Sequence, residues 1–402
     1  MTVTGPWMRA AEGAMLLGPD HVPAPTIFAE MSALASSTGS INLGQGFPDE
    51  DGPREVIEAA RQAIADGVNQ YPPGLGTPDL RLAIAEHQLR FYGVTVDPDT
   101  EVLVTAGATE ALAATLLALV SPGDEVVTLE PFYDAYGAMI ALAGARHVTV
   151  PLHPLDFQPD PDALRSAVSD RTRVILINSP HNPTGTVLGV EFLELVIELA
   201  HRHDAIIVTD EVYEHLIYDG VAHVPISSLP GGFERTISIS SGGKTFSATG
   251  WKVGWVTAPR EFRDAVLAVK QFLTYVNAAP FQPAIATGLR LPDRVFSDAA
   301  ATLEAKRDLL SAGLRAAGFT VSRPAGSYFV IADPAPLGFT DAAEFCRRLP
   351  ALAGVVGIPL TAFVGFDHRA GYSSLVRFAF CKRRPVLEDA AGRLAALGRP
   401  RA

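Results

Sequence analysis

The chain has 402 residues, more than one simple core usually supports, and 48% of them are apolar, ample for a buried interior. A formal net charge of −12 gives no support to a nucleic-acid surface, although a local basic pocket could still bind a small anion. The only cysteines, Cys346 and Cys381, have neither metal-ligand spacing nor the look of a disulfide framework, so no metal is expected and a reducing cytoplasm is the simplest home.

Residues 1–24 read as an N-terminal tail. The short patch Ala14-Met15-Leu16-Leu17 is interrupted by Glu12 and Gly18, which argues against a signal peptide. The longest helical apolar stretch, around Ala111 to Val120, falls short of the roughly 20 residues a bilayer needs, so no membrane partner is expected. Asn42-Leu43-Gly44-Gln45-Gly46-Phe47-Pro48 is an extended glycine-rich segment whose backbone can approach a ligand closely. A helix is expected over 54–66, a loop at Tyr71-Pro72-Pro73-Gly74, and a second helix running to about Tyr92.

From Glu101 the pattern becomes strand-then-helix. Apolar strand-like runs occur at 101–105, 125–129, 147–150, 173–178, 205–209, 236–240 and 252–257. Helical periods at 108–120, 134–143 and 190–203 separate most of them. This alternation predicts an α/β fold with a mostly parallel sheet and helices on both faces, with functional residues beyond the carboxyl ends of the strands. Helices over 261–275 and 298–317 lead into a C-terminal lobe with strands at 327–331 and 375–380.

The chemistry-bearing residues fall at the ends of these strands. Lys244 stands in Ser240-Ser241-Gly242-Gly243-Lys244-Thr245, and lysine is rare, with five in the chain and Lys252 only eight residues on. A lysine amine whose pKa is depressed can form a Schiff base with an aldehyde, and the small residues before it leave room for a flat ligand. A phosphate-binding P-loop is excluded, because Ser238 stands where that motif needs glycine. Asp210, ending the strand Val208-Thr209-Asp210, can pair with a protonated pyridine nitrogen, and Tyr213 with the neighbouring ring oxygen. By local pattern Asp210 is equally well a helix cap. Asn182, in the turn Ser179-Pro180-His181-Asn182-Pro183-Thr184-Gly185, can place its amide at the same oxygen, although such sequences also make ordinary turns. Gly107-Ala108-Thr109-Glu110, between a strand and a helix, offers backbone N–H groups to a phosphate. Arg377, in an apolar strand, suits either a substrate carboxylate or an internal ion pair. Phe28, Tyr275 and Phe363 can wall a substrate pocket or belong to the core.

Together these segments resemble the fold-type-I, pyridoxal-phosphate-dependent class I/II aminotransferases, from about Pro25 to Leu397. Asn-Leu-Gly-Gln-Gly-Phe-Pro-Asp at 42–49, Glu-Pro-Phe-Tyr-Asp at 130–134 and the Lys-Thr-Phe run ending at 246 are similar to the kynurenine/glutamine aminotransferase subgroup. Phe28-Ala29-Glu30-Met31, Val68-Asn69-Gln70-Tyr71-Pro72-Pro73-Gly74 and Ala279-Pro280-Phe281-Gln282-Pro283 extend the likeness to bacterial N-succinyl-diaminopimelate aminotransferases.

The resemblance implies pyridoxal 5′-phosphate as cofactor, and a large cofactor-binding domain at 56–288 with a seven-stranded sheet. The smaller α/β domain would be built from 25–55 and 289–402. It implies Lys244 as the catalytic lysine, Asp210 at the ring nitrogen, Asn182 and Tyr213 at the ring oxygen, and Phe132 stacked on the ring. Phosphate would be held by Ala108, Thr109, Ser241 and Lys252, and by Tyr71 from the second subunit of a homodimer with shared active sites. The substrate α-carboxylate would meet Arg377, Asn182 and the Gly46 backbone, with Phe28 and Tyr275 nearby. Many relatives carry arginine at position 252, where lysine keeps the charge without the fork, and some carry an aromatic at 109. The expected reaction is ping-pong amino transfer between an L-amino acid and a 2-oxo acid. N-succinyl-L,L-diaminopimelate with 2-oxoglutarate is the expected pair. Kynurenine, glutamine or methionine transamination, or β-elimination from cysteine conjugates, are the alternatives.

Overall fold

A computed structural model describes residues 4–18 and 22–398. Residues 1–3 and 19–21 of the expected tail, and the final residues 399–402, lie outside the described ones. Seven strands form the central sheet in the order Val102–Ala106, Val253–Thr257, Thr236–Ser241, Ile206–Asp210, Thr172–Asn178, Glu125–Glu130 and Arg146–Pro151. Val253–Thr257 runs antiparallel to both neighbours and every other pairing is parallel.

The interior strands are apolar on both faces because helices cover both. Side chains alternate along a strand, so Val126, Val174, Leu176, Ile206 and Val208 enter one core while Val127, Leu129, Ile175, Ile177 and Ile207 enter the other. The first core is closed by helices Gly107–Leu119 and Asp134–Ala143, the second by Val190–Arg202. The mostly parallel α/β architecture expected from the strand-helix alternation is the one observed.

Both chain ends contribute to a second group of strands. Ile358–Pro359, Val376–Ala379, Phe329–Asp333 and Thr320–Val321 make a four-stranded antiparallel sheet, and Ile41–Asn42 pairs in parallel with Val355–Val356. Helix Asp293–Ala316 leads into it and is longer than its periodicity predicted, starting directly after Pro292.

Two departures from the sequence reading matter. Part of the expected tail is a helix, Pro6–Gly13, docked on Asp134–Ala143. The contact needs glycine on both sides, since a Cβ on Gly13 would lie 2.2 Å from the Gly137 carbonyl oxygen. The helix expected over 261–275 stops at Lys270, whose buried ammonium donates to the carbonyls of Gly74 (3.0 Å) and Tyr275 (2.7 Å). No helix among the described residues is long and apolar enough to cross a membrane.

Candidate active site

Parallel strands align their carboxyl ends, so Ala106, Asn178, Asp210 and Ser241 share one edge of the sheet, and the reversed strand Val253–Thr257 brings Lys252 to the same edge. A cavity of about 210 Å³ opens there, lined by Lys244, Asp210, Tyr213, Asn182, Ser241, Lys252, Ala108 and Thr109, among others. Eight of the ten residues assigned to cofactor binding from sequence therefore meet in one place.

At one end of the cavity the chain turns from strand into helix Gly107–Leu119. Gly107 has φ +71°, and Glu110 reaches back to accept the Ala106 N–H at 2.6 Å, holding the turn. Lys252 donates to the Thr109 hydroxyl at 3.2 Å. Gly254 permits this approach, because a Cβ there would stand 2.5 Å from the Gly107 carbonyl carbon. Ammonium, hydroxyl and helix N-terminus together make an anion receptor.

At the other end Asp210 is buried. Its carboxylate accepts from the Tyr136 hydroxyl at 2.7 Å, and burial raises its pKa above the usual carboxylate value. Asn178 ties the adjacent turn to this strand: its amide donates to the Asp210 carbonyl, and its oxygen accepts the Asn182 N–H, both at 2.7 Å. Lys244, on the short turn of helix after Ser241, points its amine between the rings of Tyr213 (5.8 Å) and Tyr328 (5.6 Å). Desolvation brings its pKa down from 10.5 to about 8.

Arg377 does not make the internal ion pair that the sequence left open. Its guanidinium makes no salt bridge to any acid among the described residues. It donates to the Gly44 carbonyl (3.0 Å) and the Asn182 side-chain oxygen (2.9 Å), and its buried Nε has no partner. Phe329 lies 4.0 Å and Phe363 4.5 Å from it, and burial lowers its pKa to about 10. Since Arg377 engages the Asn182 oxygen, the Asn182 NH₂ group is left to donate into the cavity. Arg377, Asn182, Gly46 and Phe28 line a second space of about 260 Å³ that also reaches Lys244. Gly46 must be glycine, for a Cβ would stand 2.5 Å from the Phe329 ring.

Four sequence candidates fall outside these cavities, among them Phe363, a fully buried core residue. Phe132 is a core residue, its ring 4.6 Å from His147, and the neighbouring Tyr133 lines the cavity instead. Successive residues of an extended segment face opposite ways, so Phe132, expected in the cavity, turns into the core and Tyr133 turns into the cavity. The alternation was visible in sequence, but both residues are aromatic and the register was not. Tyr71 and Tyr275 line neither space. They stack edge-on with each other at 5.6 Å on the surface, 81% and 46% exposed.

Tyr136 and Thr249, lining residues without a motif of their own, escaped the sequence reading, and Asn178, which heads the Asn182 turn, was given no role in it. His87, Glu214 and His215, the one cluster among the described residues with metal-ligand proximity, escaped it too. The two imidazole Nε2 atoms lie 2.6 Å apart, a hydrogen-bond separation, and burial lowers the His87 pKa to about 3.

Fold and site together bring a desolvated lysine, a buried carboxylate and an arginine without a salt bridge among the described residues to one edge of an α/β sheet. The chain belongs to the class I and II aminotransferases, whose family model matches residues 38–394, and it is a transferase. It superposes with a TM-score of 0.90 on the solved N-succinyldiaminopimelate aminotransferase from Mycobacterium tuberculosis, at 53% identity, covering 93% of this chain and 97% of that one. The methionine aminotransferase of Escherichia coli strain K12 is 38% identical over 371 residues, covering 92% and 95% of the two chains. Human kynurenine–oxoglutarate transaminase 1 is 36% identical over 419 residues, covering 94% and 96%.

Proposed function

We propose that this aminotransferase carries pyridoxal 5′-phosphate on Lys244 and moves an amino group between N-succinyl-L,L-diaminopimelate and 2-oxoglutarate by a ping-pong mechanism. The observation that carries the cofactor reading is a desolvated lysine amine and a buried carboxylate facing one cavity that ends in an anion receptor. The identity to the Mycobacterium tuberculosis structure supports the substrate pair.

The residues fit the group. Lys252, Thr109, Ser241 and the N–H groups from Ala108 onward take the phosphate, Asp210 takes the ring nitrogen, and the Asn182 amide and Tyr213 hydroxyl take the ring oxygen. Tyr133 covers a ring face. Once bound, pyridoxal phosphate supplies a carbonyl carbon for the incoming amine and a protonated ring that withdraws electrons from the substrate Cα.

The chain's own residues do the rest. Arg377, whose Nε has no partner and whose Nη atoms each keep a second N–H, orients the substrate through its α-carboxylate together with the Gly46 backbone. The Lys244 amine removes the Cα proton and returns it to the cofactor-side carbon, a task suited to a base titrating near 8. Asp210 stays ionised against the ring proton, a charge pair that opposes the desolvation acting on it alone.

The exposed pair Tyr71 and Tyr275 supports a homodimer in which Tyr71 reaches the partner's phosphate site. Sheet membership supports a large unit at 56–288 and a small one from 25–55 and 289–402. Two free, buried cysteines accord with a cytoplasmic location.

Borohydride reduction of the holoprotein is expected to leave the pyridoxyl label on residue 244. A Lys244→Ala protein is expected to lose roughly 10²- to 10⁴-fold in transamination rate. A label elsewhere, or full turnover by Lys244→Ala, overturns the assignment. With 2-oxoglutarate as acceptor, N-succinyl-L,L-diaminopimelate is expected to outrun methionine, glutamine and kynurenine. Pyruvate released from cysteine conjugates at a comparable rate would favour the lyase reading.

A further inference from the structure

Beside the Arg377 space lies a third cavity, about 290 Å³, and the two share Phe28 and Asp134 as lining residues, so they adjoin. Its roof is made by residues 14–16 and 24–28, the segment connecting the docked helix Pro6–Gly13 to helix Ile27–Thr38. A substrate held by its α-carboxylate at Arg377 has this cavity as room for its side chain.

Two guanidinium groups line the cavity and they differ in one respect. Arg347 is engaged by Glu30 at 2.7 Å. Arg369, partly buried, makes no salt bridge to any acid among the described residues. Its Nε donates to the Val364 carbonyl at 3.2 Å and one Nη to the Met15 sulfur at 3.2 Å, while its guanidinium lies 4.2 Å from the Phe366 ring. A thioether is a weak acceptor and an aromatic face a weak partner for a cation, so the fork retains capacity for a carboxylate. The nearest acid in charge terms, Glu130, is already engaged by His368 and the Gly365 N–H. Asp134, at the junction of the two cavities, has its pKa raised by burial, which disfavours the charge that would repel an anionic substrate.

We propose that Arg369 is the receptor for a carboxylate at the far end of the amino-acid substrate, seated in the cavity roofed by residues 14–16 and 24–28. The proposal rests on the aminotransferase reading above and deepens it. It makes the enzyme selective for amino acids that carry a second, remote carboxylate, and it gives the docked N-terminal segment a part in specificity.

Arg369→Gln is expected to lower the ratio of kcat/KM for N-succinyl-L,L-diaminopimelate to that for methionine by about 10- to 100-fold, the size of a lost charge-assisted hydrogen bond, with the change in KM. Arg369→Lys, which keeps the charge without the fork, is expected to recover part of that ratio. Calorimetry with N-succinyl-L,L-diaminopimelate reads the same contact without turnover, comparing the Lys244→Ala protein with Lys244→Ala/Arg369→Gln. An affinity falling by the same factor supports the proposal. An unchanged ratio, an equal loss on both donors, or equal affinity of the two proteins overturns it and makes Arg369 a structural brace for Val364. A wild-type enzyme that turns over methionine but not the succinylated donor overturns it too. Absence of a pyridoxyl label would instead sink the cofactor reading, leaving the binding comparison to stand.

Discussion

Lys244 has to be charged enough to be soluble in the unfolded chain and neutral enough in the folded one to attack a carbonyl. Desolvation does this, lowering its pKa from 10.5 to about 8 against the opposing pull of Asp210. The neutral amine is the reactive form. In protein freed of cofactor, the rate of covalent uptake of pyridoxal phosphate is therefore expected to rise about tenfold per pH unit below 8 and to level off above it. Stopped-flow absorbance over pH 6–10 measures this. A rate still climbing tenfold per unit at pH 10 would mean that the amine keeps its solution pKa. The same depression makes the folded state bind fewer protons than the unfolded one between about 8 and 10.5, so this lysine's contribution to stability grows as pH rises through that window.

The anion-receptor end of the site depends on two elements meeting backbone to backbone. Helix Gly107–Leu119 begins where strand Val253–Thr257 begins, and Gly254 leaves no side chain between them. A Gly254→Ala substitution puts a methyl group 2.5 Å from the Gly107 carbonyl carbon and 2.7 Å from the Ala108 nitrogen. The helix start must then move away from Lys252. The expected result is weaker cofactor retention, about tenfold or more in Kd, from loss of the converging N–H and ammonium groups. Equilibrium dialysis against pyridoxal phosphate measures it, and retention equal to wild type would show that the junction tolerates displacement.

At the scale of the whole molecule, the surface around Tyr71 is unusually apolar for one that meets water. Phe272 is 87% exposed, Tyr71 81%, and Leu273 and Tyr275 close to half exposed. Large aromatics concentrated in this way mark an interface. Sedimentation is expected to give a dimer, and Phe272→Asp to shift it toward monomer with a parallel loss of bound cofactor, since Tyr71 is proposed to complete the partner's phosphate site. A monomeric wild type, or a monomeric variant that keeps its cofactor, would remove Tyr71 from the site.

The strand-helix alternation, the lysine in its glycine run, the aspartate ending its strand and the arginine in an apolar strand were all legible in the linear chain. Each is a local pattern set by periodicity or by an out-of-place charge. Packing decided what local pattern leaves open. Between Phe132 and Tyr133, which share aromaticity, only the register of the chain against His147 and the cavity made the choice. Arg377 is not half of a salt bridge among the described residues, because the groups folded within reach of its guanidinium are the Gly44 carbonyl, the Asn182 amide and aromatic rings. The N-terminal segment roofs a cavity because Gly13 and Gly137 allow two helices to touch. Such outcomes depend on which distant surfaces meet, and sequence neighbours carry no record of that.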